Sequence, residues 1–170
     1  FAEFMSIPAA SLIAMPQDLS ARAAALAEPA ATAWHALNLT MRALVRPIHE
    51  CRVLIIGGGA IGMLSALLLR HLGMRRVVLA ELTALRREAL ATRAQCETID
   101  PRQSAPAENS FDVVIDAVGA KATRVQAFAA IKPGGVIMHV GLQDWASEID
   151  MRKLTLAEVT LLGTYTYTTA

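Results

Sequence analysis

The stretch VLIIGGGAIGMLSALLL, from Val53 to Leu69, constrains the fold more than any other part of the chain. Its four opening aliphatic residues predict a strand buried on both faces, and Ala60–Leu72 predicts an apolar helix. Between them Gly57, Gly59 and Gly62 form the pattern G-x-G-x-x-G. The three glycines serve different ends. Gly57 permits a sharp strand-to-helix turn, Gly59 leaves room for a ligand to reach the backbone, and Gly62 lets the helix lie close to the strand. The N–H groups of Ala60, Ile61 and Gly62 start the helix, where the positive end of its dipole faces an anion. A strand before the motif and a helix after it predict a pyrophosphate-binding turn rather than a plain connection.

The rest of the chain repeats the alternation. Strands are predicted at Arg52–Ile56, Arg76–Ala80, Thr98–Ile99, Asp112–Ile115, Val136–Val140 and Val159–Leu162, with helices at Ala60–Leu72, Leu85–Gln95 and Ala122–Ile131 and a polar loop from Pro101 to Ser110. Alternating β and α elements predict an α/β fold, a doubly wound parallel sheet of the Rossmann type. Upstream, FAEFMSIPA, residues 1–9, reads as a strand entered midway, Ser20 as a helix cap, and Ala21–Val45 as two helices joined near Glu28-Pro29.

Glu81 directly follows the second strand, close to the offset of roughly 20 residues from the glycine turn at which a carboxylate accepts hydrogen bonds from an adenosine ribose. A carboxylate there repels a 2′-phosphate, which predicts NAD as cofactor over NADP. Arg86 and Arg87, on the following helix, read as a solvated face. Methyltransferases share the glycine turn and the acid but normally lack a glycine at the position of Gly62. Short-chain dehydrogenases need a Tyr with a Lys four residues later, whereas Tyr165 is followed at that distance by Thr169.

Composition narrows the partners. Sixteen basic and 15 acidic residues leave a net charge of +1, too little to neutralise a run of phosphates, so nucleic acid is not expected. The apolar runs fall short of the roughly 20 residues of a membrane span, so no membrane is expected and a cytoplasmic protein is. Cys51 and Cys96 stand alone and read as small buried hydrophobes. Because Phe1 is no initiator and the chain stops at GTYTYTTA, the sequence reads as a piece of a longer protein.

Six segments in order, FAEFMSIPAASLIAMPQDLS, AALAEPAATAWHAL, VLIIGGGAIGMLSALLLRHLGMRRVVLAEL, FDVVIDAVGA, AIKPGGVIMHVGL and LAEVTLLGTYTYT, resemble the cofactor domain of the medium-chain dehydrogenase/reductase family, in its zinc-type polyol, sorbitol and threonine dehydrogenase branch. The resemblance implies a short remnant of a GroES-like catalytic domain over residues 1–29 and an NAD-binding domain over 30–170. It implies that Val118 and Gly119 line the cofactor cleft, that Val140, Gly141 and Leu142 lie against the nicotinamide, that Gly163, Thr164 and Tyr165 offer backbone groups to its carboxamide, and that Thr32 touches it from the other side. Glu28 would lie near a catalytic zinc whose other ligands, a Cys and a His-Glu pair, are absent, so zinc is expected in the full-length enzyme and not on this piece. Catalytic residues stay unknown.

The implied reaction is hydride transfer between a small secondary alcohol and NAD. The implied assembly is a homodimer or higher oligomer that joins sheet edges through the last strand and the tail to Thr168. Two other readings stay open: a zinc-free NADPH-dependent quinone or enoyl reductase of the same superfamily, and a non-catalytic NAD-sensing module. Glu81 and Glu28-Pro29 speak against the first; Glu28, Thr32 and GTYTYT against the second.

Overall fold

Because successive side chains on a strand point to opposite faces, an unbroken apolar run has to be covered twice. The computed structural model describes residues 3–167 and meets this demand with one six-stranded parallel sheet. Its strands are β1 (Val53–Ile56), β2 (Val77–Ala80), β3 (Glu97–Ile99), β4 (Phe111–Asp116), β5 (Ile131–His139) and β6 (Thr160–Gly163), in the order β3-β2-β1-β4-β5-β6. On one face Val53, Ile55, Leu79, Val113 and Ile115 form a core with Ala36, Leu37, Leu69 and Leu90. On the other, Leu54, Ile56, Val78, Val114 and Ile137 pack with Ala127 and Phe128. After a first short helix, α1 (Ala21–Ala24), the first group is covered by α2 (Ala27–Ala43), α3 (Ala60–His71) and α4 (Ala84–Arg93), the second chiefly by α5 (Lys121–Ala130). The α/β doubly wound fold is as expected, and both cysteines are buried.

Several local expectations are corrected. The break between α1 and α2 falls at Ala25 and Leu26, and not at Pro29. Pro29 sits in the first turn of α2, where a missing N–H leaves no helical bond unmade. Ser20 does cap α1, its Oγ accepting from the Ala23 N–H at 3.2 Å. Residues 3–13 form no strand; a 3₁₀ turn at Ala9–Ser11 lies among exposed side chains such as Phe4, Leu12 and Ile13. A strand needs a ladder to join, and this segment pairs with no strand of the sheet. The start of that predicted strand, at Phe1, lies outside the described residues.

Ile131, predicted to end α5, instead opens β5. It is fully buried beside Phe111, and a shift of register between Phe111 and Val113 absorbs the turn at residues 132–135. A further short helix that the periodicity does not predict is α6 (Met151–Leu156); Asp150 caps it by accepting the Lys153 N–H at 2.8 Å. No helix among the described residues is long and apolar enough to cross a membrane.

Candidate functional site

The chain runs from β1 through α3 to β2 on one side and later returns to β4 on the other, so β1 and β4 are neighbours although they are not consecutive. Such a reversal opens a crevice at the carboxyl ends of the strands. Nearly all the residues singled out from the sequence arrive at this edge: residues 57–62 after β1, Glu81 after β2, Val118 and Gly119 after β4, residues 140–142 after β5, and Thr164 and Tyr165 after β6. A cleft of about 490 Å³ opens there, bordered by Gly57, Glu81, Arg86, Arg102, Val118 and Thr123.

The glycine turn has the shape its spacing predicts. Gly57 has φ +96°, a conformation costly to any residue with a Cβ. A Cβ on Gly62 would stand 1.8 Å from the Gly57 carbonyl oxygen, which fixes how closely α3 can approach β1. A Cβ on Gly59 would meet nothing within 4 Å and would project into open space at the helix start. The first helical bond is donated by Met63 to the Gly59 carbonyl, so the N–H groups of Ala60, Ile61 and Gly62 have no helical acceptor. Open space beside free donors is the cradle a pyrophosphate requires.

Glu81 is only 6% exposed and is held on both carboxylate oxygens. Its Oε2 accepts the Gly58 N–H at 2.7 Å and its Oε1 the Thr83 N–H at 2.7 Å, while Arg86 Nη1 lies 3.9 Å from Oε2. Burial by itself would raise the pKa; the N–H groups of Thr83 and Gly58, helped by Arg86, outweigh it and keep the carboxyl below its ordinary range. A carboxylate has about four lone-pair sites, so two stay available to ribose hydroxyls. The link from Glu81 to Gly58 ties the acid to the turn itself, a contact the spacing did not disclose.

Beyond β4 the organiser is Asp116, fully buried. Its Oδ1 accepts the N–H groups of Val118 at 3.0 Å and Gly119 at 2.9 Å, and its Oδ2 accepts the Thr123 hydroxyl at 3.0 Å. The loop after β5 is drawn onto this turn by the Val140 and Gly141 N–H groups, both 3.0 Å from the Asp116 carbonyl. A Cβ on Gly119 would lie 2.0 Å from the Gly141 oxygen, and one on Gly141 2.0 Å from the Val118 carbonyl carbon. These glycines therefore owe their identity to backbone packing between two loops. An acid ending a β-branched strand, three residues before Gly119, is the available signal for Asp116.

The remaining residues are placed more loosely. Leu142 and Tyr165 are exposed, and Val140 is buried in the core. Thr164 donates its N–H to the His139 carbonyl at 3.1 Å. Thr32 is buried on α2, its hydroxyl 3.4 Å from Glu28 Oε1. The described residues do not fit a zinc ion, since no group of three or more His, Cys, Asp or Glu is gathered among them.

Past β3 lies a charged wall that no motif in the sequence marks. Arg102 donates from Nε to Asp100 Oδ1 at 2.9 Å and from Nη2 to Asp100 Oδ2 at 2.6 Å and to the Leu82 carbonyl at 2.8 Å; Arg87 Nη1 is 3.2 Å from the same carboxylate. The Arg102 side-chain bonds, against the opposing effect of desolvation and helped by its N–H and by both cations, lower the Asp100 pKa from 3.8 to about 2. A depressed folded-state value stabilises the fold above the ordinary value and is lost as pH falls through the folded one. The urea midpoint is therefore expected to drop between pH 3.8 and about 2. The drop should be shallower in Arg102→Ala; parallel curves for the two proteins would refute the assignment.

The family model described as zinc-binding dehydrogenase matches residues 60–170. L-galactonate-5-dehydrogenase of Escherichia coli K12 is 30% identical over 177 residues, which cover 96% of this chain and 48% of that protein. L-threonine 3-dehydrogenase of Ruegeria pomeroyi is 26% identical over 174 residues, covering 97% and 49%. A crystal structure described as a zinc-binding dehydrogenase from Sinorhizobium meliloti 1021, bound to NADP, is similar with a TM-score of 0.74 at 29% identity, over 84% of this chain and 44% of that one. The chain spans about half the length of the curated relatives it matches.

Proposed function

The chain belongs to the zinc-binding dehydrogenase family, and from that membership we propose that it is the NAD-binding part of an alcohol or polyol dehydrogenase that moves hydride between a small secondary alcohol and NAD. The observation that carries the cofactor is the buried Glu81 carboxylate, held against the glycine turn at the rim of the cleft. Bound NAD supplies the hydride acceptor; this chain grips and orients it. In this proposal Gly57, Gly59, Ala60, Ile61 and Gly62 take the pyrophosphate, and Glu81 takes the ribose hydroxyls. Val118, Gly119, Val140, Gly141, Leu142, Thr164, Tyr165 and Thr32 frame the nicotinamide half. Residues 1–29 are the end of a catalytic domain and 30–170 the cofactor domain. Glu28 would be one contact to a metal, and because no group of three or more His, Cys, Asp or Glu is gathered among the described residues, zinc chemistry is assigned to no residue here.

Wild-type chain is expected to bind NADH more tightly than NADPH. Glu81→Ala should weaken NADH by about tenfold or more, the loss of hydrogen bonds to a charged acceptor, and narrow the preference. Equal affinities in the wild type, or an unchanged ratio in the variant, would sink the NAD assignment. NADP is the second reading, favoured by the NADP-bound relative and by Arg86 standing 3.9 Å from the acid.

We also propose a homodimer through the β6 edge. Among the described residues the strand is unpaired on its outer side, and Trp145, Leu161 and Tyr165 are exposed around it. The tail at Thr168 lies outside the described residues. Sedimentation equilibrium should give twice the chain mass; a monomer at the highest concentration reached would count against edge pairing.

A further inference from the structure

The loop after β5, residues 140–147, contains no helix or strand, yet it is fastened from two sides. Backbone bonds hold its first half to the turn after β4: Val140 and Gly141 donate to the Asp116 carbonyl, Gln143 to that of Val118 at 3.1 Å and Asp144 to that of Gly119 at 2.9 Å. From the other side comes Arg124, half-buried on α5, with all three guanidinium nitrogens engaged. Nε donates to His139 Nε2 at 2.9 Å, Nη2 to the Asp144 carbonyl at 2.6 Å and Nη1 to the Ser147 hydroxyl at 3.0 Å. His139 is the last residue of β5, just before the loop, while Asp144 and Ser147 lie past its middle. One rigid plane therefore ties the root of the loop to its far end. Between these anchor points stands Leu142, 72% exposed.

We propose that Arg124 is a positioning residue for hydride transfer: its guanidinium braces the loop after β5 so that Gly141 and Leu142 meet the nicotinamide in a fixed place. The inference rests on the dinucleotide reading above and adds the group that sets the geometry of its nicotinamide half. Ordering an irregular loop costs conformational entropy, and a brace already present in the free protein removes that cost from the binding step. Hydride transfer also tolerates little displacement of the reacting ring, so a wall held still is worth more than a mobile one. His139 has a matching part. Because its Nε2 accepts the Arg124 bond, that nitrogen carries no proton and the ring's proton sits on Nδ1. Asp116 Oδ2 lies 4.0 Å from the same Nε2. The carboxylate that holds the Val118 and Gly119 N–H groups and the arginine that holds the next loop thus adjoin one imidazole.

The test titrates the 170-residue chain by calorimetry with NADH and with ADP-ribose, which keeps the adenosine and pyrophosphate and lacks the nicotinamide. Arg124→Ala is expected to weaken NADH by about tenfold, the cost of ordering a few side chains on binding, and to leave ADP-ribose within about twofold of the wild type. A purely structural role would weaken both ligands alike. Arg124→Lys, which keeps the charge but cannot serve three acceptors in one plane, should behave as the alanine variant does. The acceptor is tested separately. His139→Gln, which offers a side-chain oxygen to Nε, should retain NADH affinity, and His139→Leu should lose it as Arg124→Ala does. Equal losses for the two ligands, wild-type NADH affinity in Arg124→Ala, full recovery by lysine, or a His139→Gln protein as weak as His139→Leu overturns the proposal. So does a wild type that binds NADH no more tightly than ADP-ribose. Should Arg124→Ala fail to fold, the two His139 variants decide alone. A wild type that binds neither ligand would instead defeat the dinucleotide reading itself, a failure that the variants cannot mimic.

Discussion

Gly62→Ala is expected to destabilise the protein by about 3 kcal/mol and to lower its melting temperature by roughly 10 °C. The new methyl would stand 1.8 Å from the Gly57 carbonyl oxygen, a backbone atom that cannot rotate away. Relief requires α3 to lift from β1, which also strips contacts from Ala66 and Leu69, both buried beneath it. Gly59→Ala is the matched control. Its methyl meets nothing within 4 Å and its φ of −70° suits alanine, so the loss should stay within about 1 kcal/mol. The ligand response should be reversed in proportion: Gly59→Ala melts almost normally yet loses NADH affinity, because its methyl fills the space beside the free N–H groups. Thermal melts and NADH titration of the two variants check both halves. A Gly62→Ala protein that melts with the wild type would show that α3 is not pressed against the turn.

Gly119→Ala is expected to cost a similar amount for two added reasons. Its φ of +73° is unfavourable to alanine by about 1 kcal/mol, and its methyl would lie 2.0 Å from the Gly141 carbonyl oxygen. Gly141→Ala strikes the same interface from the other side, 2.0 Å from the Val118 carbonyl carbon. The two losses should therefore not add. Once either methyl has forced the loops after β4 and β5 apart, the second finds room, and the double variant should be more stable than the sum of the singles predicts by about 1 kcal/mol or more. Urea denaturation of the four proteins measures this coupling. Strict additivity would mean that the loops do not meet as described.

The glycine turn and Glu81 were legible because their signals are local. A strand, three glycines at fixed offsets, a helix and an acid at the end of the next strand specify a turn and its neighbour without reference to the rest of the chain. The resemblance implies a place beside the cofactor for Gly119 and Gly141, yet their size is dictated by the close approach of the two loops that carry them. Asp100 and Arg102 carry no sequence signal, because residues 101–110 are polar and irregular and nothing in a polar loop announces which of its cations will be pinned. The strand expected over FAEFMSIPA has suitable residues, yet residues 3–9 pair with no strand of the sheet; β propensity describes a fit to a sheet already present.

Side-chain type and periodicity were enough to specify the two-sided apolar strands, the order of α and β elements, the sharp turn at Gly57 and the acid at position 81. Hydrophobic burial and glycine's backbone freedom act on such features within a few residues. Four other features came from the assembled sheet: β4 lies beside β1, Gly119 touches Gly141, Glu81 grips the Gly58 N–H, and Arg102 stands at the cleft. The first and the last depend on the crossing of the chain from one side of β1 to the other, and the other two join loops after neighbouring strands of the sheet. No local pattern encodes a distance between strands that are remote in sequence; packing of the whole sheet sets it.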